Sequence, residues 1–321
     1  MSKEKLKVGV IGVGYLGKFH AEKYALMDNV DLIGVVDISE DQVEQVAKNL
    51  YTDAYNDYKE LIKKIDAASI VVPTPSHFSI SKECLENNVD VLIEKPMAAT
   101  VEEADELIRI SESNGMIIQV GHLERFNPAV VALKDIIRMP RFIESHRLSI
   151  YNERGTDVSV VLDLMIHDID IILNFVQSEI ENIKAAGMPV ISDHVDIANA
   201  RIEFKNGTVA NVTASRISGR DERKIRHFQK DSYISVDFKN HETVIIKPNS
   251  KDKESIVPGM GIEKNSFPKG DALNDELKSF VRSVIDRSEP EVTGQMGREA
   301  LKIAFDIMGQ INKYYSRFLE G

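Results

Sequence analysis

From residue 6 to residue 120 the chain alternates short apolar runs with amphipathic stretches. The runs at 6–11, 30–36, 68–72, 89–94 and 116–120 are rich in Val, Ile and Leu with only one or two polar residues each, as strands covered on both faces are. The stretches between them repeat apolar residues at helical spacing. One spans 39–50 and is expected to begin with a Ser39 cap ahead of Glu40 and Asp41; another spans 100–114 and opens with a Thr100/Glu103 capping box. This rhythm predicts an α/β half with a doubly wound parallel sheet.

After about residue 122 the rhythm changes. Pro128 and Pro140 bracket one helical pattern, and alternating stretches at 142–151, 180–190, 196–204, 208–215, 233–238 and 242–247 then predict strands, with Asn206-Gly207 as a hairpin turn. Helical patterns remain at 158–176, 271–286 and 296–314. The expectation is a Rossmann domain at 1–122 and an α+β domain at 123–321 built on an open, mainly antiparallel sheet. Three helices cover only one face of such a sheet, so the other is expected to pair with a second copy in a homodimer or homotetramer. Residues 250–270, rich in Lys, Gly and Pro, read as a long loop, either a connector or a flap over a site. No repeat of fixed period is present.

Composition sharpens this in three ways. At 321 residues, 43% hydrophobic and 28% charged, the chain is globular and long enough for about two domains. A net charge of −11 argues against nucleic acid as a partner. The single cysteine, Cys84, can form no internal disulfide, and Met1 to Lys5 lead into no signal-peptide core, so a cytoplasmic location is expected. The most apolar long stretch, 158–176, carries Asp163, His167, Asp168 and Asp170, which exclude a membrane span.

The first strand runs directly into Gly12-Val13-Gly14-Tyr15-Leu16-Gly17, a G-x-G-x-x-G at a strand-to-helix junction. Gly12 permits the tight turn, Gly14 a close approach of pyrophosphate, and Gly17 close packing of helix on strand. The N–H groups of this loop, Tyr15 and Leu16 included, form a dinucleotide site at a helix N-terminus. Asp37, 20 residues after Gly17, ends the next strand, where its carboxylate can accept both ribose hydroxyls. Neither Ile38 nor Ser39 supplies a cation for a 2′-phosphate, so the cofactor is read as NAD.

Two further strand ends reach the carboxyl edge of the sheet, where open α/β folds bind ligands. The chain leaves one through Pro73-Thr74-Pro75-Ser76-His77, and Pro73, Thr74 and His77 are candidate cofactor contacts; His77 could equally be a solvent-facing helix-start residue. The other ends in Glu94-Lys95-Pro96. A lysine there can hold a substrate hydroxyl and steady developing alkoxide charge, although a strand-end lysine alone is commonplace.

In the 158–176 helix, Asp163, His167, Asp170 and Asn174 share a narrow stripe opposite Met165, Ile169, Ile172 and Val176. An amphipathic surface helix has this pattern, but this stripe lacks Lys and Arg. Asp163 lies four residues before His167 and can polarise its imidazole for proton transfer. Asp168 falls among Leu164, Ile171 and Phe175, so that acid is expected either at a domain interface or paired with a hydrogen-bond donor that the sequence does not identify. A zinc site fails on ligand count and a serine hydrolase on the missing G-x-S-x-G elbow, so no metal is expected.

Taken in order, Gly12 to Gly17, Asp37, Glu94-Lys95-Pro96, Gly121-His122, Arg125-Phe126-Asn127-Pro128, and Asp163 with His167 resemble the Gfo/Idh/MocA oxidoreductases over nearly the whole chain. The resemblance implies catalytic roles for Lys95, Asp163 and His167, cofactor contacts from Glu94, Lys95 and His122, and a cis Lys95–Pro96 bond. The run Gln119 to Pro128 with Asp163 to Asp170 looks most like members that oxidise the 3-hydroxyl of UDP-N-acetylglucosamine. Arg125, Asn127, Arg147 and Tyr151 are the candidate substrate contacts. Many members carry glycines before the catalytic acid where this chain has Ser159-Val160-Val161-Leu162. The alternatives are an inositol or free-sugar dehydrogenase with the same machinery, and a non-catalytic NAD-sensing regulator.

Overall fold

The computed structural model describes residues 5–152, 158–248, 259–268 and 270–320, with side chains as far as residue 315. The chain forms two compact units. One comprises Met1–Leu123 with Asp271–Leu301, the other Glu124–Gly270 with Lys302–Gly321.

Among the described residues, the first unit holds strands β1 (Leu6–Ile11), β2 (Val30–Val36), β3 (Asp53–Tyr55), β4 (Ala67–Ile70), β5 (Asp90–Glu94) and β6 (Ile118–Gly121). They form one parallel sheet in the order β3-β2-β1-β4-β5-β6. The connections carry α1 (Gly17–Ala25), α2 (Glu40–Leu50), α3 (Tyr58–Leu61), α4 (His77–Glu86) and α5 (Val101–Asn114). The order reverses between β1 and β4, the switch point at which such sheets bind dinucleotides. Helix α5 begins as the sequence predicts: Thr100 Oγ accepts from the Glu103 N–H at 3.1 Å, while the Glu103 carboxylate reaches back to the Ala99 N–H at 2.9 Å. At α2 the Ser39 hydroxyl makes no cap, and the Ser39 N–H donates to Asp37 instead.

In the second unit α6 (Pro128–Val131) and β7 (Pro140–Leu148) come first, then a π-helical turn at Val161–Met165 continued by α7 (Ile166–Phe175). Strands β8 (Ile180–Met188), β9 (Ile197–Phe204), β10 (Val209–Ser215), β11 (Glu222–Gln229), β12 (Ser232–Asp237), β13 (Glu242–Pro248) and β14 (Met260–Ser266) complete a sheet ordered β14-β13-β12-β11-β7-β10-β9-β8. Only β7 and β10 pair in parallel among these described strands. One face is apolar: Ile143, Ala200, Ile202, Val212, Ile225 and Ile234 are buried, as are Ile169 and Ile172 of α7. The chain ends in α8 (Ala272–Asp286) and α9 (Gly294–Glu320).

Four expectations change. Helix α8, assigned from its position to the second domain, belongs to the first unit, where Leu277, Phe280, Val281 and Val284 join one core with Val8, Val10, Tyr24 and Leu92. The span 123–321 is therefore interrupted. The helix bracketed by Pro128 and Pro140 reduces to α6 and turns, because the Gln229 side chain accepts from the Arg138 N–H and donates to the Ile136 carbonyl, taking polar groups a helix would pair internally. Strand β11 escapes apolar alternation because its burial falls on Ile225 and His227 amid charged neighbours. Residues 260–266, read as loop, form β14 against β13; positions 250–258 and 269 lie outside the described residues.

No helix among the described residues is long and apolar enough to cross a membrane. Cys84 is buried on α4, and burial pushes its thiol up to about 12.

Candidate functional site

At the end of β1, Gly12 adopts φ +90°, and a Cβ there would lie 2.4 Å from the Val71 carbonyl oxygen, so only glycine makes this turn. A Cβ on Gly17 would come within 1.8 Å of the Gly12 carbonyl oxygen. Around Gly14, by contrast, nothing lies within 4 Å of a Cβ position. The loop is thus closed on the protein side and open above Gly14, where Tyr15 and Leu16 are exposed. Asp37 holds it from β2: its Oδ2 accepts from the Val13 N–H at 2.9 Å and its Oδ1 from the Ser39 N–H at 3.0 Å. Gln42, which the sequence reading did not single out, donates to the Val13 carbonyl at 2.5 Å. Each Asp37 oxygen keeps acceptor capacity for a ribose hydroxyl. Beside it Ile38 is fully exposed. These residues fit a dinucleotide, with pyrophosphate over Gly14 and adenosine at Asp37.

Farther along the edge, Lys95 and Glu94 are half-buried at the end of β5, and the Lys95–Pro96 bond is cis. Burial pushes the Glu94 carboxyl up, but a His20 hydrogen bond and the Lys95 charge prevail and hold it below the ordinary carboxylate value. His20 Nε2 lies 3.2 Å from Glu94 Oε1. Sequence reading missed His20; the one cue was a histidine three residues past Gly17.

His77 takes a part other than the expected cofactor contact. It is 1% exposed, with Nε2 2.7 Å from the Val72 carbonyl and Nδ1 2.9 Å from the Pro96 carbonyl. The ring braces one strand end against the other, and burial lowers its proton affinity. Pro73 is exposed and Thr74 half-buried on the same edge, while His122 is buried at the end of β6.

In the second unit, Asp163 sits in the π-helical turn, where the Ile166 N–H reaches back five residues to Val161, and His167 follows in the first turn of α7. Such wide turns recur at functional sites and shift the register between residues before and after them. Both side chains are half-buried. The rest of the expected stripe is not a solvent face, since Asp170 is 1% exposed and bonds Arg125 in a fork, Nε to Oδ2 at 2.6 Å and Nη2 to Oδ1 at 2.9 Å.

The donor left unidentified for Asp168 is Arg147 of β7. Its Nε and Nη2 reach the carboxylate at 2.9 and 3.0 Å, and its Nη1 reaches Glu124 at 3.0 Å. Both arginines are buried and committed to these carboxylates, which corrects their reading as substrate contacts: they clamp the helix carrying His167. Asn127 likewise turns inward, its Oδ1 capping α6 through the Ala129 N–H and its Nδ2 donating to Glu124. Of the four candidate contacts, only Tyr151, 48% exposed, presents its side chain to solvent. Among the described residues no cluster of three or more His, Cys, Asp or Glu could hold a metal.

Residues 6–122 match the NAD-binding Rossmann-fold model of an oxidoreductase family, and residues 137–233 match the GFO/IDH/MocA C-terminal domain. The UDP-N-acetylglucosamine 3-dehydrogenase of Acidithiobacillus ferrooxidans is 35% identical over 97% of this chain and 99% of its own. A solved structure of that enzyme superposes with a TM-score of 0.93, again covering 97% and 99%. The myo-inositol 2-dehydrogenase of Thermotoga maritima is 26% identical over 94% of each chain. The scyllo-inositol dehydrogenase of Lactobacillus casei, solved with NAD(H) and scyllo-inositol, shares the fold with a TM-score of 0.81 at 19% identity, over 97% of this chain and 98% of its own.

Proposed function

The chain belongs to the Gfo/Idh/MocA oxidoreductases, and from that premise we propose that it oxidises the 3-hydroxyl of a UDP-linked N-acetylamino sugar, with NAD as acceptor. NAD dependence and action on a sugar-type hydroxyl follow from the family and from the 35% identical relative; the nucleotide-linked substrate is the finer reading. Bound NAD supplies a nicotinamide that can take a hydride from carbon.

The chain's own residues do the rest. Lys95 holds the substrate oxygen and steadies its negative charge as the proton leaves, His167 takes that proton, and Asp163 orients His167 or a second hydroxyl. Arg125 and Arg147 serve by fixing α7, through Asp170 and Asp168. The observation that carries the reading is the glycine loop closed by Gly12 and Gly17 and tied to Asp37, on a chain whose Lys95 directly follows β5 of the same sheet.

The sheet face opposite the buried Ile143, Ile225 and Ile234 bears half-exposed Phe142, Phe228 and Tyr233, with the Phe142–Phe228 and Phe228–Tyr233 ring centroids 5.6 and 5.1 Å apart, and is proposed to pair with a second copy in a dimer or tetramer. A reducing cytoplasm suits the lone buried thiol. Incubating the protein and NAD with a panel of UDP-sugars, free sugars and inositols, and following nicotinamide absorbance, tests the substrate. Reduction by UDP-N-acetylglucosamine alone is expected. Reduction by an inositol would transfer the assignment to the polyol branch, and no reduction by any compound would favour the sensor reading.

A further inference from the structure

A chain of four polar side chains runs from the core of the first unit to the carboxyl edge of its sheet. Tyr24 and His20, one turn apart on α1, both meet Ser69 of β4: the Tyr24 hydroxyl is 2.8 Å from Ser69 Oγ, and His20 Nδ1 is 3.3 Å from it. His20 Nε2 then reaches Glu94. With a neutral imidazole, one proton arrangement satisfies every member. Tyr24 O–H donates to Ser69, Ser69 O–H donates to Nδ1, and Nε2–H donates to the carboxylate. All donors point toward Glu94.

Tyr24, Ser69 and His20 are sealed in the core, so the chain offers no proton exit, but the Glu94 side chain keeps 16% exposure. Its Oε2 accepts from the Lys95 N–H at 3.3 Å, and Gly121 lies alongside, where a Cβ would come within 3.1 Å of the carboxyl atoms. The carboxylate is thus fixed by α1, β5 and β6, with one edge open.

Strand order indicates what that edge faces. With pyrophosphate at the end of β1 and adenosine at Asp37 on β2, the nicotinamide half of a dinucleotide extends the other way, across β4 and β5, on strands about 4.8 Å apart. Glu94 terminates β5. We propose that His20 is a positioning residue that keeps Glu94 a fixed negative charge beside the nicotinamide, so that the oxidised, positively charged ring is bound in preference to the reduced, neutral one. This rests on the NAD reading above. Among the described residues, His20 of α1 and Lys95 beside it act on Glu94, and Glu94 in turn acts on His77 of α4.

The test measures affinities without sugar: NAD+ by calorimetry and NADH by its fluorescence, between about pH 5 and about pH 8. Glu94→Gln is expected to weaken NAD+ about tenfold and NADH by less than about twofold, since only the charged ring loses a Coulomb partner. His20→Phe is expected to match the wild type at the upper end and to fall toward the Glu94→Gln value at the lower end, where an unsupported carboxylate takes up a proton. His20→Gln, which retains an N–H, is expected to restore part of the loss. Should His20→Phe fail to fold, Ser69→Ala removes the hydroxyl behind Nδ1 and is expected to show the same trend, smaller. Equal weakening of both cofactors in Glu94→Gln, or pH-independent NAD+ binding in the folded His20 and Ser69 variants, overturns the proposal. A wild type that binds neither cofactor overturns the NAD reading itself.

Discussion

Arg147→Met removes the cation from a buried cluster and leaves its partners in place. Asp168 is 1% exposed and accepts two hydrogen bonds from this guanidinium; the Glu124 side chain is 15% exposed and receives the third. The guanidinium also lies over the Phe238 ring at 5.6 Å. Leaving one buried charge uncompensated costs about 3–5 kcal/mol, a large part of the roughly 5–15 kcal/mol that stabilises an ordinary domain. Replacing both partners by apolar groups is close to neutral, so Arg147→Met/Asp168→Leu should recover most of the loss. Urea unfolding gives the totals, and hydrogen exchange resolved on β7 and α7 assigns the change to the second unit. A cost for Arg147→Met below about 1 kcal/mol, or a double variant no more stable than the single one, would refute the clamp. The same proteins separate clamp from substrate contact: if Arg147 touched substrate, the double variant would keep a KM raised by tenfold or more, roughly the loss of one charged hydrogen bond.

Three further outcomes are expected. Lys95→Ala should lower kcat by at least about a hundredfold while NAD affinity, read by calorimetry, stays within about threefold, and wild-type turnover would remove Lys95 from the mechanism. Gly17→Ala places a methyl 1.8 Å from the Gly12 carbonyl oxygen, so it should abolish measurable NAD binding and lower the melting temperature of the first unit; retention of both would show that the loop yields. Asp196 ends β8 early by accepting the N–H groups of Val190, Ile191 and Ser192, and although burial opposes it these bonds bring its carboxyl down to about 2. Because the folded value lies below the unfolded one, its stabilisation, about 2 kcal/mol, is complete above about pH 4 and lost as pH falls toward 2. Unfolding at a series of pH values should show that slope, and Asp196→Asn should flatten it.

The linear pattern was sufficient wherever neighbours in sequence carry the physics. Buried parallel strands need runs of Val, Ile and Leu, a tight turn with φ +90° needs Gly12, and a helix start is satisfied by Thr100 and Glu103 within four residues, so sheet, loop and cap could all be anticipated from local order. Long-range partners could not be. Asp168 announced that it needed a donor or an interface, but Arg147 lies 21 residues away on a strand, and Arg125 lies 45 residues from Asp170. Both arginines resembled ligand contacts because an unpaired guanidinium in a sequence says nothing about the carboxylate it will meet. Likewise the apolar stripe of α8 fits any core, and only packing decided that it completes the first unit beside Tyr24 and Leu92. His20 gained its place beside Glu94 from the close approach of α1 to the sheet, a consequence of burial that residue order alone does not encode.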